Sequence, residues 1–258
     1  MVGRADDCAT DHRTRDHAGG EGRVGGGGGY VGAVGDVVRH VVGVVRQIGE
    51  RGGGRPVRVG VDGVDGAGKT WFADGLADAL RAADVPVVRV SVDGFHHPAR
   101  ERYRRGRTSA EGFFLDSYDY AALRREVLVP LGPGGDRRYR TAVFDHRSDE
   151  RVDTPQRIAP DDAVLVVDGI FLHRDELADQ WDLSLFLDVP FTETFRRMAV
   201  RDGCPPDPQD ARNRRYVEGQ RLYLSTCAPA QRATLVVDNT DPTAPVLRTP
   251  LPDARPGR

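Results

Sequence analysis

The sequence predicts a three-layer α/β fold built on a mainly parallel sheet. Short apolar runs alternate along the chain with stretches whose apolar residues recur at helical spacing, the pattern of parallel strands joined by crossover helices. The runs lie at 57–62, 86–92, 163–167, 183–189 and 233–237. Connections in such sheets are right-handed, and ligands bind beyond the carboxyl ends of the strands. The functional residues are therefore expected where these strands end.

The two ends of the chain differ from this central part. Residues 1–30 are rich in Asp, Arg, His and Gly and close with five consecutive glycines, a composition too poor in apolar surface to offset the entropy of ordering. Valines recur at helical spacing from Val34 onwards, which predicts a packing helix before the first strand. The last residues contain repeated prolines. We assign 1–30 to a disordered glycine-rich arm, 31–240 to one folded domain and 241–258 to a disordered tail.

Residues 63–70 match the phosphate-binding-loop pattern G-x-x-x-x-G-K-[ST]. The eight residues are Gly63, Val64, Asp65, Gly66, Ala67, Gly68, Lys69 and Thr70. An apolar run precedes the motif and a helical pattern follows it, which is the context that a phosphate loop requires. Its glycines let backbone N–H groups converge on phosphate oxygens, and the Thr70 hydroxyl is suited to Mg²⁺. The motif predicts a P-loop NTPase fold with ATP and Mg²⁺ as cofactors.

Lys69 is the only lysine in the chain, since every other member of the 37 lysine and arginine residues is arginine. An ammonium group is compact enough to fit between the β- and γ-phosphates in a tight backbone cradle, whereas a guanidinium is planar and bulky. A single lysine also excludes the N-K-x-D motif with which regulatory GTPases recognise guanine. The small-molecule kinases remain as the main class.

Two predicted strands end in an aspartate followed by glycine. Asp93 follows the run at 86–92, and Asp168 follows the run at 163–167. Phosphoryl transfer needs a base near the acceptor hydroxyl and a carboxylate that helps to hold Mg²⁺. An isolated aspartate at a strand end is more often a cap or turn residue. Its place beside a phosphate loop favours a catalytic function for both.

From Val57 to about Asn239 the chain resembles the uridine kinase branch of the P-loop kinases, which includes phosphoribulokinase and pantothenate kinase relatives. The segments that carry the resemblance are GVDGVDGAGKT, SVDGFH, DSYDYAAL, VLVVDGIF, LFLDVPFTETFRRMAVRD and RYVEGQRLYL. It implies that Asp93 is the base for a ribose 5′-hydroxyl. It also implies that Asp168 replaces the acidic residue of the family's E-G-I segment near Mg²⁺. Because aspartate is one methylene shorter than glutamate, a water-mediated contact with the cation is expected.

The resemblance further implies a helical lid and a small substrate hairpin. Residues 195–202 resemble the family's R-R-x-x-R-D helix, in which Arg197 and Arg201 would neutralise charge on the transferring phosphoryl group; the alternative is a solvated arginine surface. Residues 203–213 would form the mobile lid loop. The candidate acceptor contacts, against an alternative of ordinary hairpin packing, are Phe95, His96, Tyr139, Phe144 and His146.

These features together predict an ATP- and Mg²⁺-dependent kinase of a small hydroxylated acceptor, uridine or cytidine foremost. One alternative is a kinase of the same fold for pantothenate or a sugar or ribosyl derivative. The other is a regulatory module that binds ATP without transferring phosphate, although such a module would not need Asp93 as an acceptor-side base.

The partners follow from composition. A net charge of −2 gives no basic excess for nucleic acid, and no apolar run approaches the roughly 20 residues of a membrane span. A small-molecule substrate and a cytoplasmic location are expected, and a homo-oligomer is compatible with the sequence.

Overall fold

The computed structural model describes residues 33–52 and 54–248, and the predicted arm at 1–30 lies outside them. The strands of the described residues are β1 (Val57–Gly63), β2 (Val87–Ser91), β3 (Arg138–Tyr139), β4 (Phe144–Asp145), β5 (Glu150–Arg151), β6 (Arg157–Ile158), β7 (Val164–Gly169), β8 (Leu183–Asp188), β9 (Leu235–Asp238) and β10 (Val246–Arg248). The α-helices are α1 (Ala33–Arg51), α2 (Lys69–Ala82), α3 (Ala99–Arg102), α4 (Ala110–Asp116), α5 (Tyr120–Leu123), α6 (Phe191–Asp202), α7 (Arg214–Cys227) and α8 (Pro229–Arg232). Among the helices of 33–52 and 54–248, none is both long and apolar enough to cross a membrane.

Six strands form the central sheet in the order β10-β9-β8-β1-β7-β2. Every neighbouring pair is parallel except β10 with β9. The predicted fold class, an α/β fold on a mainly parallel sheet, is therefore confirmed. The remaining strands form two short antiparallel ladders, β3 with β6 and β4 with β5, at the predicted hairpin.

The sheet is covered on both faces, which explains why its strands read as continuous apolar runs. In β7, Val164 and Val166 belong to the cluster packed under α1 and α2, whereas Leu165 and Val167 belong to the cluster under α4, α5 and α7. This alternation follows from the two-residue period of a strand. Burying each such side chain stabilises the fold by about 1.5–3 kcal/mol. The three layers thus rest on the apolar runs seen in the sequence.

Residues 241–248 continue the described fold, which corrects the predicted start of the tail, and residues 249–258 lie outside the described residues. Val246–Arg248 adds an antiparallel strand to the edge of the sheet. Pro245 directly precedes this strand, a position where its missing N–H costs no ladder hydrogen bond. Arg248 pairs with Asp188 at 2.9 Å and also with Asp238. Proline content alone therefore gave a wrong boundary.

A buried polar cluster lies where β1 ends. Asp62 is fully buried, and its Oδ1 accepts a hydrogen bond of 2.7 Å from the Gly63 backbone N–H. Its Oδ2 accepts from His173 Nδ1 at 2.6 Å and from the Tyr223 hydroxyl of α7. A carboxylate without water must be satisfied in this way. The cluster fixes the start of the phosphate loop to the lid-side helix α7.

We predict that Tyr223→Phe lowers the free energy of unfolding by about 1–3 kcal/mol, because it removes one donor from a buried carboxylate. Tyr120→Phe is the matched control, since within the described residues the Tyr120 hydroxyl is buried and has no hydrogen-bond partner. Removing that hydroxyl should be neutral or stabilising. Urea denaturation measures both, and equal effects of the two substitutions would contradict the prediction.

Candidate active site

The phosphate loop is shaped by glycines that no other residue replaces easily. Gly66 and Gly68 have φ values of 76° and 90°, in the left-handed region that L side chains rarely adopt. A Cβ on Gly66 would lie 2.6 Å from the Thr194 carbonyl oxygen of α6, so the loop and the lid helix are in direct contact. The spacing of glycines in the motif is therefore a steric requirement in this chain.

Other elements hold the same loop from two sides. The Asp65 N–H donates to Gln220 Oε1 of α7 at 2.6 Å, and Asn239 Nδ2, just after β9, donates to the Ala67 carbonyl at 2.7 Å. Neither Gln220 nor Asn239 belongs to the sequence motif. Both contacts orient the loop's backbone, which presents the N–H groups on which phosphate binding depends.

Lys69 begins α2 and is buried within the loop. Its Nζ donates to the Val64 carbonyl at 3.0 Å and lies 4.0 Å from Asp65 Oδ1. The start of a 14-residue helix adds favourable partial charge for an anion at this point. The lone lysine thus lies at the centre of the predicted cradle.

Thr70 and Asp168, the two residues predicted at the Mg²⁺ site, lie side by side. The Thr70 hydroxyl donates to Asp168 Oδ2 at 2.6 Å, and Arg89 Nη1 donates to Asp168 Oδ1 at 2.8 Å. A hydroxyl oxygen beside a carboxylate oxygen is a donor set of the kind that a hard divalent cation prefers, so the residues present fit Mg²⁺. Sequence reasoning missed Arg89, because one arginine among many carries no signal.

Asp93 lies in the same cleft, which has a volume of about 510 Å³ and is also lined by Lys69, Thr70 and Asp168. A short 3₁₀ turn, Val92–Phe95, follows β2 and carries it. The Tyr118 hydroxyl donates to Asp93 Oδ1 at 3.2 Å. Burial, reinforced by the Asp93 charge, raises the pKa of Tyr118 well above 10, so this hydroxyl keeps its proton. Tyr118 is a second residue that sequence reasoning missed.

His96 lies beside Asp93, and its hydrogen bond and burial fix the tautomer and the protonation state of its ring. Its Nδ1 is 2.9 Å from the Asp93 carbonyl oxygen, and because a carbonyl can only accept, Nδ1 carries the proton. Burial lowers the pKa of His96 from 6.5 to about 4, so the ring is neutral at physiological pH. The rings of His146 and Tyr118 lie 4.5 and 4.4 Å from it. Two predicted acceptor contacts, His96 and His146, are thus brought together near Asp93, but His96 is buried, and Tyr118 is the one of the three rings that lines the cleft.

The other predicted acceptor contacts face the protein interior. Phe95 is fully buried in the core, because the turn that directs Asp93 into the cleft directs Phe95 to the opposite side. This corrects its assignment as a substrate contact. Tyr139 and Phe144 are also buried, in β3 and β4 of the hairpin, where they serve packing.

The two arginines of the predicted lid helix have different surroundings. Arg201 lines the cleft and pairs with Asp202 at 2.6 Å. Arg197 pairs with Glu193 at 2.8 Å and donates to the carbonyls of Asn239 and Thr240 at 2.8 Å each. Arg197 therefore ties α6 to the end of β9, whereas Arg201 is the one directed to the cleft.

The predicted lid loop at 203–213 connects α6 to α7. Asn213 is fully buried at its end, and Asn213 Nδ2 donates to the carbonyls of Pro205 and Asp207 at 2.9 and 2.8 Å. These bonds define the loop's shape, and its movement over the cleft stays a prediction.

A phosphate loop, an adjacent hydroxyl-carboxylate pair and an acceptor-side carboxylate at one edge of a parallel sheet define the P-loop kinase class. Residues 58–204 match the model of the Phosphoribulokinase / Uridine kinase family. Because the match covers more than half of the chain, the protein belongs to this family.

Individual relatives agree with this assignment. The pantothenate kinase of Clavibacter michiganensis subsp. michiganensis is 31% identical over 151 residues, which cover 55% of this chain and 46% of that protein. The chain thus spans about half the length of this relative. The uridine kinase of Ureaplasma parvum serovar 3 is 24% identical over 67% of this chain and 79% of its own. A solved structure of a possible uridine kinase from Bacillus stearothermophilus has the same fold, with a TM-score of 0.60, 21% identity and coverage of 78% of this chain and 97% of that chain.

We predict that Lys69→Arg loses almost as much activity as Lys69→Ala, because the cradle has room for an ammonium and not for a planar guanidinium. Turnover of the two variants and of the parent, measured at saturating nucleotide, checks this. Near-normal turnover of the arginine variant would show that the lone lysine reflects codon usage.

We predict that His96 titrates near pH 4 in the folded protein. Its folded pKa lies below the unfolded value, so the stability that depends on the neutral ring is complete above about pH 6.5 and is lost as the pH falls toward 4. NMR titration of the His96 ring proton, assigned with His96→Asn, measures the midpoint. A midpoint above 6 would contradict the described burial.

Proposed function

We propose that this kinase transfers the γ-phosphoryl group of ATP to a hydroxyl of a small acceptor, with uridine or cytidine as the first candidates. The observation that carries the proposal is the position of Asp93 in the same cleft as Lys69 and Thr70, with its carboxylate oriented by Tyr118. A kinase needs a base at this position, whereas a module that merely binds ATP does not.

Each group of residues in the cleft has its own role in the proposed reaction. The loop backbone and Lys69 bind the phosphates, and Thr70 with Asp168 would hold Mg²⁺. When bound, Mg²⁺ neutralises negative charge on the phosphate oxygens. Asp93 accepts the proton of the attacking hydroxyl, and Arg201 adds positive charge on the lid side of the cleft.

Arg197 acts in this scheme by position and not by contact with the transferred group. Its guanidinium donates to the Gly66 carbonyl of the phosphate loop at 3.3 Å while it also pairs with Glu193. It therefore keeps α6 registered against the loop, which places Arg201 one helical turn further on beside the cleft.

We propose a hydroxylated acceptor next to Asp93, on the side where Tyr118 lines the cleft and His96 packs against the Tyr118 ring. His96 is neutral, and its protonated Nδ1 is committed to a backbone carbonyl. The pyrimidine nucleosides are favoured by the resemblance and by the relative named uridine kinase, which matches over most of its length. Pantothenate is the second candidate, because a relative with that name has the higher identity.

An acceptor screen decides between these candidates. Uridine, cytidine, pantothenate and sugar phosphates are each incubated with MgATP, and acceptor-dependent ADP release is measured. The proposal expects the highest kcat/KM for a pyrimidine nucleoside. If no acceptor is phosphorylated although ATP binds tightly, the alternative of a regulatory module is correct.

We predict that Asp93→Asn lowers kcat with the best acceptor by on the order of 10²–10⁴-fold, because it keeps the shape and the Tyr118 contact and removes the base. Nucleotide affinity should hardly change. Asp78→Asn, which alters an exposed carboxylate of α2 outside the cleft, is the matched control and should leave kcat unchanged. An Asp93→Asn enzyme within a few-fold of the parent would require another base.

A further inference from the structure

Arg89 is the charged residue of β2 and joins two carboxylates at the edge of the cleft. Its Nε donates to Asp74 Oδ1 of α2 at 2.9 Å, and its Nη1 donates to Asp168 Oδ1 of β7 at 2.8 Å. Nη1 also donates to the Val90 carbonyl at 2.7 Å, which fixes the guanidinium to its own strand. Arg89 thus connects three elements through one planar group.

The charge of the cleft shows why such a group is needed. Four aspartates, Asp65, Asp74, Asp93 and Asp168, line a cleft that is expected to take a polyphosphate. Like charges at this density repel one another and repel an anionic ligand. Arg89 pairs with two of the four. Since the Asp168 side chain is only 3% exposed, an unpaired charge there would be costly.

The two carboxylate oxygens of Asp168 have different hydrogen-bond partners. Oδ1 accepts from Arg89, whereas Oδ2 accepts from the Thr70 hydroxyl. A carboxylate bound at one oxygen by a fixed guanidinium has little freedom to rotate. Oδ2 is therefore held beside Thr70, where the two oxygens form the donor pair that fits a divalent cation.

We propose that Arg89 is a positioning residue for the cation that accompanies the nucleotide, an inference that rests on the proposed function. By occupying Oδ1 of Asp168, it directs Oδ2 and the Thr70 oxygen to the cation as a pair. Arg89 itself does not line the cleft, so it would contact neither the nucleotide nor the acceptor. Partners one shell behind a metal ligand commonly change metal affinity by roughly 10–100-fold when removed.

The test is the coupling between metal and nucleotide, measured without turnover. Calorimetry gives the Kd of ADP with Mg²⁺ and the Kd of ADP with EDTA, and their ratio reports how much the metal contributes. We expect Arg89→Met to reduce this ratio by roughly 10-fold or more, with the Kd in EDTA almost unchanged. Arg89→Gln, which retains an amide NH2 donor group, should reduce it less. It also serves as the folded variant if the methionine protein fails to fold.

The matched control is Arg81→Met. Arg81 is an exposed arginine of α2 whose ion pair with Asp78 has the same 2.9 Å length as the pair of Arg89 with Asp74. Its removal should leave the ratio unchanged.

Three outcomes would overturn the inference. They are an equal loss of ADP affinity with and without Mg²⁺ in the Arg89 variants, unchanged affinities in both conditions, and a parent protein whose ADP affinity ignores Mg²⁺. The proposed function fails separately: a parent that binds MgADP with the expected coupling but phosphorylates no acceptor contradicts the kinase reaction and leaves the role of Arg89 standing.

Discussion

The in-register pairing of β7 between β1 and β2 is the constraint on which the rest of the site depends. Asp168 of β7 lies opposite Val61 of β1 and opposite Ser91 of β2. Because all three strands are parallel, they end at the same edge. This shared edge brings together the phosphate loop, the Asp168 carboxylate and the turn that carries Asp93, each of which lies at the end of its own strand. A shift of register in β7 by one residue would turn Asp168 toward the opposite face of the sheet.

The contacts made by arginines in this chain differ from the contact required in the phosphate loop, where the chain has its single lysine. Arg197 binds backbone carbonyls at the end of β9, and Arg89 bridges two aspartates. Both tasks use several donors of one planar fork, which an ammonium cannot reproduce at fixed angles. The phosphate cradle has the opposite requirement, a single compact charge, and there the chain has Lys69. The geometry required at each position therefore decides whether arginine or lysine is suitable there.

Much of the fold follows from local patterns, and much of the site does not. The strands were predictable because both faces of the sheet are covered, which leaves apolar runs with no polar alternation. The loop was predictable because its glycines have fixed spacing. Tyr118 and Arg89 reach their carboxylates across 25 and 79 residues of sequence, and nothing local marks such contacts. Phe95 was misassigned because the 3₁₀ turn directs Asp93 into the cleft and Phe95, two residues later, to the opposite side.

The hairpin side of the Asp93 turn is built differently from the phosphate loop. The hairpin has ladders of two residues each and is joined to the Asp93 turn by the Val143 N–H, which donates to the Gly94 carbonyl at 2.9 Å. The phosphate site, in contrast, rests on strands buried on both faces. Because the hairpin lies outside the six-stranded sheet, its side chains can change at little cost to that sheet. This construction agrees with a family whose relatives are named for pantothenate and for uridine. In this chain the rings packed together beside Asp93 are those of Tyr118, His96 and His146, and Tyr118 is the one of them that lines the cleft.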